Sequence, residues 1–137
     1  MSTLIIYYSF TGNAKKIAEE LAAGSSADLA ELRDVKKPGK LKAFTAGCFK
    51  ALAGKASPLQ PLDVNFAAYE KIILVAPIWA GNVPPAVNSL WGLLPAGTAL
   101  AAKLVSGSGL SKCRERLENA LRAVDCSLKS LEDIKAG

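Results

Sequence analysis

Leu4 to Tyr8 form an apolar run rich in β-branched and aromatic side chains, the pattern of a buried strand. Ser9 to Asn13 interrupt it with hydroxyl, glycine and amide residues. Ala14, Ile17, Ala18 and Leu21 then recur on one helical face, with Lys15, Lys16, Glu19 and Glu20 on the other. Asp28 to Arg33 reads as a short second strand, and Pro38 and Gly39 mark a turn within 36–39. Leu41, Phe44, Cys48 and Leu52 predict a helix over 40–53, followed by a loop from Gly54 to Pro61. Lys71 to Ala76 is the clearest strand, because a near-continuous apolar run suits a parallel strand buried on both faces. Pro77 to Val83 reads as a loop, and Pro84-Pro85 open a helix expected to reach Leu94. A strand follows from Ala99 to Ser106, with Lys103 as an odd interruption, and then a loop, Ser106 to Gly109. Leu110, Cys113, Leu117, Ala120, Leu121 and Val124 trace the last helical face, and Cys126 to Leu131 the last strand.

Strands and helices therefore alternate, and right-handed crossovers turn that order into a parallel sheet with helices on both faces. The length of 137 residues fits one domain spanning 1–137. Ligands of such sheets bind beyond the carboxyl ends of the strands. The loops 9–13, 77–83 and 106–109 all follow strand ends and are rich in Gly, Ser, Asn or Pro. In the first, a strand breaks on small polar residues and feeds a helix, leaving backbone N–H groups at the positive end of the helix dipole. Ser9 and Thr11 can donate to an anion there, and Gly12 allows close backbone approach. The same five residues also read as an ordinary capped turn. They match neither the Gly-Lys-Ser/Thr nucleotide loop nor Gly-x-Gly-x-x-Gly.

Composition narrows the chemistry. The chain has no histidine, which removes Ser-His-Asp triads, Cys-His pairs and His-ligated metals. Its three cysteines, Cys48, Cys113 and Cys126, are odd in number and lack Cys-x-x-Cys spacing. No metal site and no catalytic side chain are assigned, so any reaction rests on a cofactor or on carboxylates, lysines and cysteines. No signal-peptide pattern or membrane-length apolar run occurs, and a reducing cytoplasm is the expected location. The net charge of +5 is local. Lys36, Lys37, Lys40, Lys42, Lys50 and Lys55 lie between Val35 and Pro58 without an acid, leaving 11 basic and 12 acidic residues elsewhere. A solvated helix face is the plain reading of that run. Nucleic acid is disfavoured, since neither interleaved aromatics nor a known motif accompanies the lysines.

The residues Tyr8-Ser9-Phe10-Thr11-Gly12-Asn13 resemble the phosphate loop for flavin mononucleotide (FMN) of the flavodoxin family. Ala76-Pro77-Ile78-Trp79-Ala80-Gly81-Asn82-Val83-Pro84-Pro85 resemble that family's loop after the third strand, where an aromatic flanks the flavin. The resemblance implies a flavodoxin-like, doubly wound, five-stranded parallel sheet ordered 2-1-3-4-5. It implies FMN as cofactor, with Ser9, Thr11, Asn13 and the backbone of 10–14, including Phe10, Gly12 and Ala14, on the phosphate. Pro77, Ile78, Trp79, Ala80, Gly81 and Asn82 would line the ring, with Trp79 stacked on it and Gly81 the peptide able to reorient toward it. Ser106, Gly107, Ser108 and Gly109 complete the implied cofactor site. Trp91, mid-helix, reads as packing.

Three departures qualify the likeness. The loop 106–109 has no aromatic, so the second flavin face is open to a substrate or covered by another segment. The chain carries a basic segment where many electron shuttles are acidic. The family's final helix is apparently missing, so Ile72 and Leu74, or the opposite alternation, are expected to face water, with a homodimer as one outcome. The implied function is electron transfer through FMN with a redox partner protein or a small electron donor or acceptor. The alternatives are an FMN-dependent NAD(P)H or quinone reductase, and a flavodoxin-like binding module without cofactor. An electron carrier is preferred to a substrate-specific enzyme, and the lysines of 36–55, if near the flavin, would favour its anionic reduced form.

Overall fold

Five strands lie side by side in the computed structural model, which describes residues 2–8, 12–33, 62, 64–78, 82–107, 109 and 113–135. They are β1 (Thr3–Tyr7), β2 (Asp28–Glu31), β3 (Lys71–Pro77), β4 (Ala99–Ser106) and β5 (Ser127–Lys135). All neighbours are parallel and the order is β2-β1-β3-β4-β5. Three helices are described: α1 (Asn13–Ser25), α2 (Pro85–Asn88) and α3 (Arg114–Arg122). None of the described helices is long and apolar enough to cross a membrane. The turn, helix and loop expected over 36–61 lie outside the described residues.

Alternation along the strands divides the core in two. Leu4, Ile6, Ile72, Leu74, Leu100 and Leu104 face one side, where Val87 of α2 and Leu117 and Leu121 of α3 cover them. Ile5, Tyr7, Ile73, Val75, Ala101 and Val105 face the other, with Ala14, Ala18 and Ala22 of α1. Alanines on the inner face of α1 bring it close to the sheet, and half-buried Ile17 and Leu21 flank the contact. Each fully buried Leu or Ile contributes roughly 1.5–3 kcal/mol of transfer free energy.

The expected water-facing apolar stripe on β3 is corrected. Ile72, Ile73, Leu74 and Val75 are only 3%, 8%, 0% and 0% exposed, so both alternations are buried. The α1 side of β4 and β5 is polar where it is accessible. Lys103 stands opposite Glu132 there, with Ser130 opposite Ala101. The Lys103 ammonium donates to the Glu132 carboxylate at 2.5 Å, which accounts for a lysine inside an apolar strand. Among the described residues, the large apolar side chains well exposed are Leu29 and Leu93.

Element boundaries differ from expectation by one residue at the ends of β1 and β3 and by more elsewhere. The second strand ends at Glu31, although the Leu32 N–H still bonds the Tyr7 carbonyl at 2.8 Å. The helix expected from Pro84 to Leu94 is one turn, α2, followed by a 3-10 turn at Trp91–Leu93. Val87, Asn88, Ser89 and Gly92 are weak helix formers, and the Trp91 indole N–H donates to Asn88 Oδ1 at 3.2 Å across that break. Trp91 is buried, as its packing role requires. The last strand begins at Ser127 and runs to Lys135, beyond Leu131, because Glu132, Asp133, Ile134 and Lys135 pair with Lys103 to Ser106. A register shift at Leu100/Ala101 accommodates one extra residue, Lys129.

Candidate functional site at the ends of β1, β3 and β4

The chain leaves β1 toward β2 on one side and leaves β3 toward β4 on the other, so the crossovers diverge between two adjacent strands. Backbone bonds tie the strand ends together. The Tyr8 N–H donates to the Val75 carbonyl at 3.1 Å, and the Ile78 N–H donates to the Val105 carbonyl at 3.1 Å. The loops after β1, β3 and β4 therefore emerge in a row at one end of the sheet. This is the location expected for a ligand in a fold of this kind.

Gly12 is the N-cap of α1 and has φ +101°, a left-handed conformation that L side chains rarely adopt. Its carbonyl accepts the Lys16 N–H at 3.0 Å, which begins the helix. The cap contributes no side-chain hydrogen bond and the first turn contains no acid. Helix geometry leaves the first N–H groups without intrahelical acceptors, so they face the loop with the positive end of the dipole behind them. Asn13, Lys15 and Lys16 are exposed, and Ala14 turns its methyl into the core. At that position only the backbone can serve a ligand.

Across the seam, Pro77 ends β3 and Ile78 is half-buried against the core. Asn82 is the one buried polar residue among those described, 3% exposed, and Val83 beside it is fully buried. Ser106 ends β4, and its hydroxyl oxygen accepts the Gly109 N–H at 3.0 Å. Gly107 is exposed and Gly109 half-buried. Of the sequence-predicted site residues, Gly12, Asn13, Ala14, Pro77, Ile78, Asn82, Ser106, Gly107 and Gly109 are thus described. Ser9, Phe10, Thr11, Trp79, Ala80, Gly81 and Ser108 lie outside the described residues.

Sequence reading passed over Tyr7, which is 8% exposed at the end of β1, next to the first loop. Burial pushes its phenol above the usual 10.0; Glu31 and Glu19 act the same way and Arg33 opposes them. Its signal in the sequence was only a second aromatic at a strand end. Arg33 itself bonds Glu31 at 2.7 Å on the exposed edge.

No family model matches the chain, and no curated protein matches it. Solved structures do. A flavoprotein of Lactobacillus acidophilus NCFM, in complex with FMN, superposes with a TM-score of 0.80 at 20% identity, covering 95% of this chain and 91% of that one. An oxidised flavodoxin 2 of Bacillus cereus gives 0.57 at 18% identity, over 100% and 86%. An NADH:FMN oxidoreductase in its apo form gives 0.53 at 17% identity, over 96% and 72%. With the strand order and the crossover divergence between β1 and β3, these likenesses show that the chain has the flavodoxin-like fold.

Proposed function

We propose that this chain binds FMN at the ends of β1, β3 and β4 and transfers electrons through it. The observation that carries the reading is the start of α1. It is a 13-residue helix with a left-handed glycine cap, no side-chain cap and no acid in its first turn, set at the crossover divergence. Those features fit a phosphate. Around the Cβ position that Gly12 lacks, no described atom lies within 4 Å, which leaves open space at the start of the helix. The FMN of the similar Lactobacillus acidophilus protein supports the same assignment.

Bound FMN would supply the redox chemistry, accepting and releasing electrons at its ring. The protein's part is binding and orientation. N–H groups of the first α1 turn hold the phosphate, and Lys15 and Lys16 add positive charge nearby. Ile78 offers an apolar edge, and the turn from Ser106 to Gly109 borders the site beside β4. No step in this account needs a side chain as general acid or base, in keeping with a chain free of histidine.

FMN should bind at one per chain and far more tightly than riboflavin in a fluorescence titration, because the phosphate supplies a large part of the recognition. Thr11→Ala should weaken FMN by roughly 1–2 kcal/mol through one lost charge-assisted hydrogen bond. Equal affinity for the two flavins would remove the phosphate assignment. Absence of binding to both would leave the cofactor-free binding module. A second reading, an FMN-dependent NAD(P)H or quinone reductase, is favoured by the lack of any aromatic in 106–109 and by the likeness to the oxidoreductase. Oxidation of NADH or NADPH by the FMN-loaded protein distinguishes it from a carrier.

A further inference from the structure

β5 is the last strand on the side of the sheet away from β2, and among the described residues no strand pairs with its outer edge. Such an edge presents a row of backbone N–H and C=O groups, which natural sheets usually keep short. β5 (Ser127–Lys135) is instead 9 residues long, the longest of the five strands. Its apolar residues Leu128, Leu131 and Ile134 are half-buried. Leu131 stands opposite Ala102 and packs on the α3 side of the core. Charges on an edge strand ordinarily guard it against pairing. Here their order, Lys129, Glu132, Asp133 and Lys135, favours one pairing over its neighbours.

We propose that the outer edge of β5 pairs antiparallel with β5 of a second copy of this chain, about a twofold axis at Leu131, so that one sheet runs through both copies. A twofold contact sets residues at equal distances on either side of the axis against each other. Leu131 is the midpoint of β5, so an axis there engages the whole strand. It sets Lys129 opposite Asp133 of the second copy, and symmetry repeats that pair. Ser130 falls opposite Glu132 and Ser127 opposite Lys135, so no like charges meet. The two Leu131 side chains become cross-strand neighbours on the α3 face. Neighbouring axes lose these gains. An axis at Glu132 sets that carboxylate against itself and Lys129 against Lys135, and an axis at Asp133 opposes two aspartates. An axis at Ser130 sets Lys129 opposite Leu131 and forms no ion pair. Lys129 is also the residue that the register shift adds to β5, and its long stem can carry the ammonium across the bend. The inference is independent of the FMN reading.

The test follows the mass of the full chain by sedimentation over a range of concentrations, alone and with charge reversals. The unmodified chain should show a monomer–dimer equilibrium. Lys129→Asp sets acid against acid in both symmetric pairs, and Asp133→Lys sets base against base. Each should weaken self-association by roughly 10-fold. An equal mixture of the two variants should associate as the parent does, because a mixed dimer has an opposite-charge pair at both places. A role of these residues within one chain gives no such rescue. A measurement without variants is hydrogen exchange in the unmodified chain, where amides of β5 should exchange more slowly at high than at low protein concentration. A monomer at every concentration would overturn the inference, as would happen if another part of the chain covers the edge. A dimer that neither reversal weakens would overturn it too, by moving the contact to another surface. So would β5 exchange that is the same at both concentrations.

Discussion

Tyr7 shows how one side chain can carry a condition on the whole fold. Its phenol is buried beside Val75 and is pushed above its usual 10.0 by burial first, then by Glu31 and Glu19. The folded state therefore holds that proton more tightly than the unfolded chain does. The resulting stability is complete below the unfolded value and is lost as pH rises through the higher folded one. Tyr7→Phe has no proton to lose, so between about pH 9 and 11 its melting temperature should fall less than that of the parent, as followed by circular dichroism. Parallel falls in the two proteins would show that Tyr7 does not govern the alkaline limb. Lys103 is a contrasting case. Its side chain is 25% exposed and that of its partner Glu132 is 60% exposed, so the pair is worth no more than ~1 kcal/mol. Its effect is local: it gives a cation in a central strand a partner on the neighbouring one.

At the scale of elements, helix ends are where residue choice is least economical. α3 gives way at Ala123, and Asp125 takes φ +59° before the Cys126 N–H returns to the Leu121 carbonyl at 2.8 Å. A left-handed aspartate closes that end where glycine would do so without strain. Asp125→Gly should therefore raise the denaturation midpoint, by about 0.5–1 kcal/mol of stability. An unchanged or lower midpoint would mean that the carboxylate contributes more than the backbone costs. The same elements show what a linear sequence reveals. α1 and β3 were legible because their periods are strong: alanines and apolar residues at helical spacing, and an unbroken apolar run. The second half of β5 was not, because Glu132, Asp133 and Lys135 are poor strand formers in isolation. Their pairing with β4 decides the matter, and that partner lies far away in sequence. The break after α2 was hidden for a related reason, since apolar spacing through Val87, Leu90 and Leu94 continues across it.

For the molecule as a whole, the positions of the three loops could be read from strand ends, but the bonds that join them could not. Ser106, Gly109 and Lys135 meet only because β5 lies beside β4, and Ile78 meets Val105 only because β3 does. The basic segment from Lys36 to Lys55 is the largest charge asymmetry of the chain and lies outside the described residues. If it guides an acidic or phosphate-bearing partner to the flavin, partner reduction should slow several-fold from low to high ionic strength, since exposed charges are screened over about 10 Å at 0.1 M salt. Stopped-flow rates independent of salt would mark it as a solvated face. The crossover divergence also has a mechanical consequence. Residues 3–31 supply β1, α1 and β2, and residues 71–135 supply everything from β3 onward, so the sheet is two sequence-contiguous halves stitched along β1 and β3. A ligand gripped by α1 on one half and by the ends of β3 and β4 on the other would act as a clasp across that seam. Parting of the halves and escape of the ligand would then be a single event.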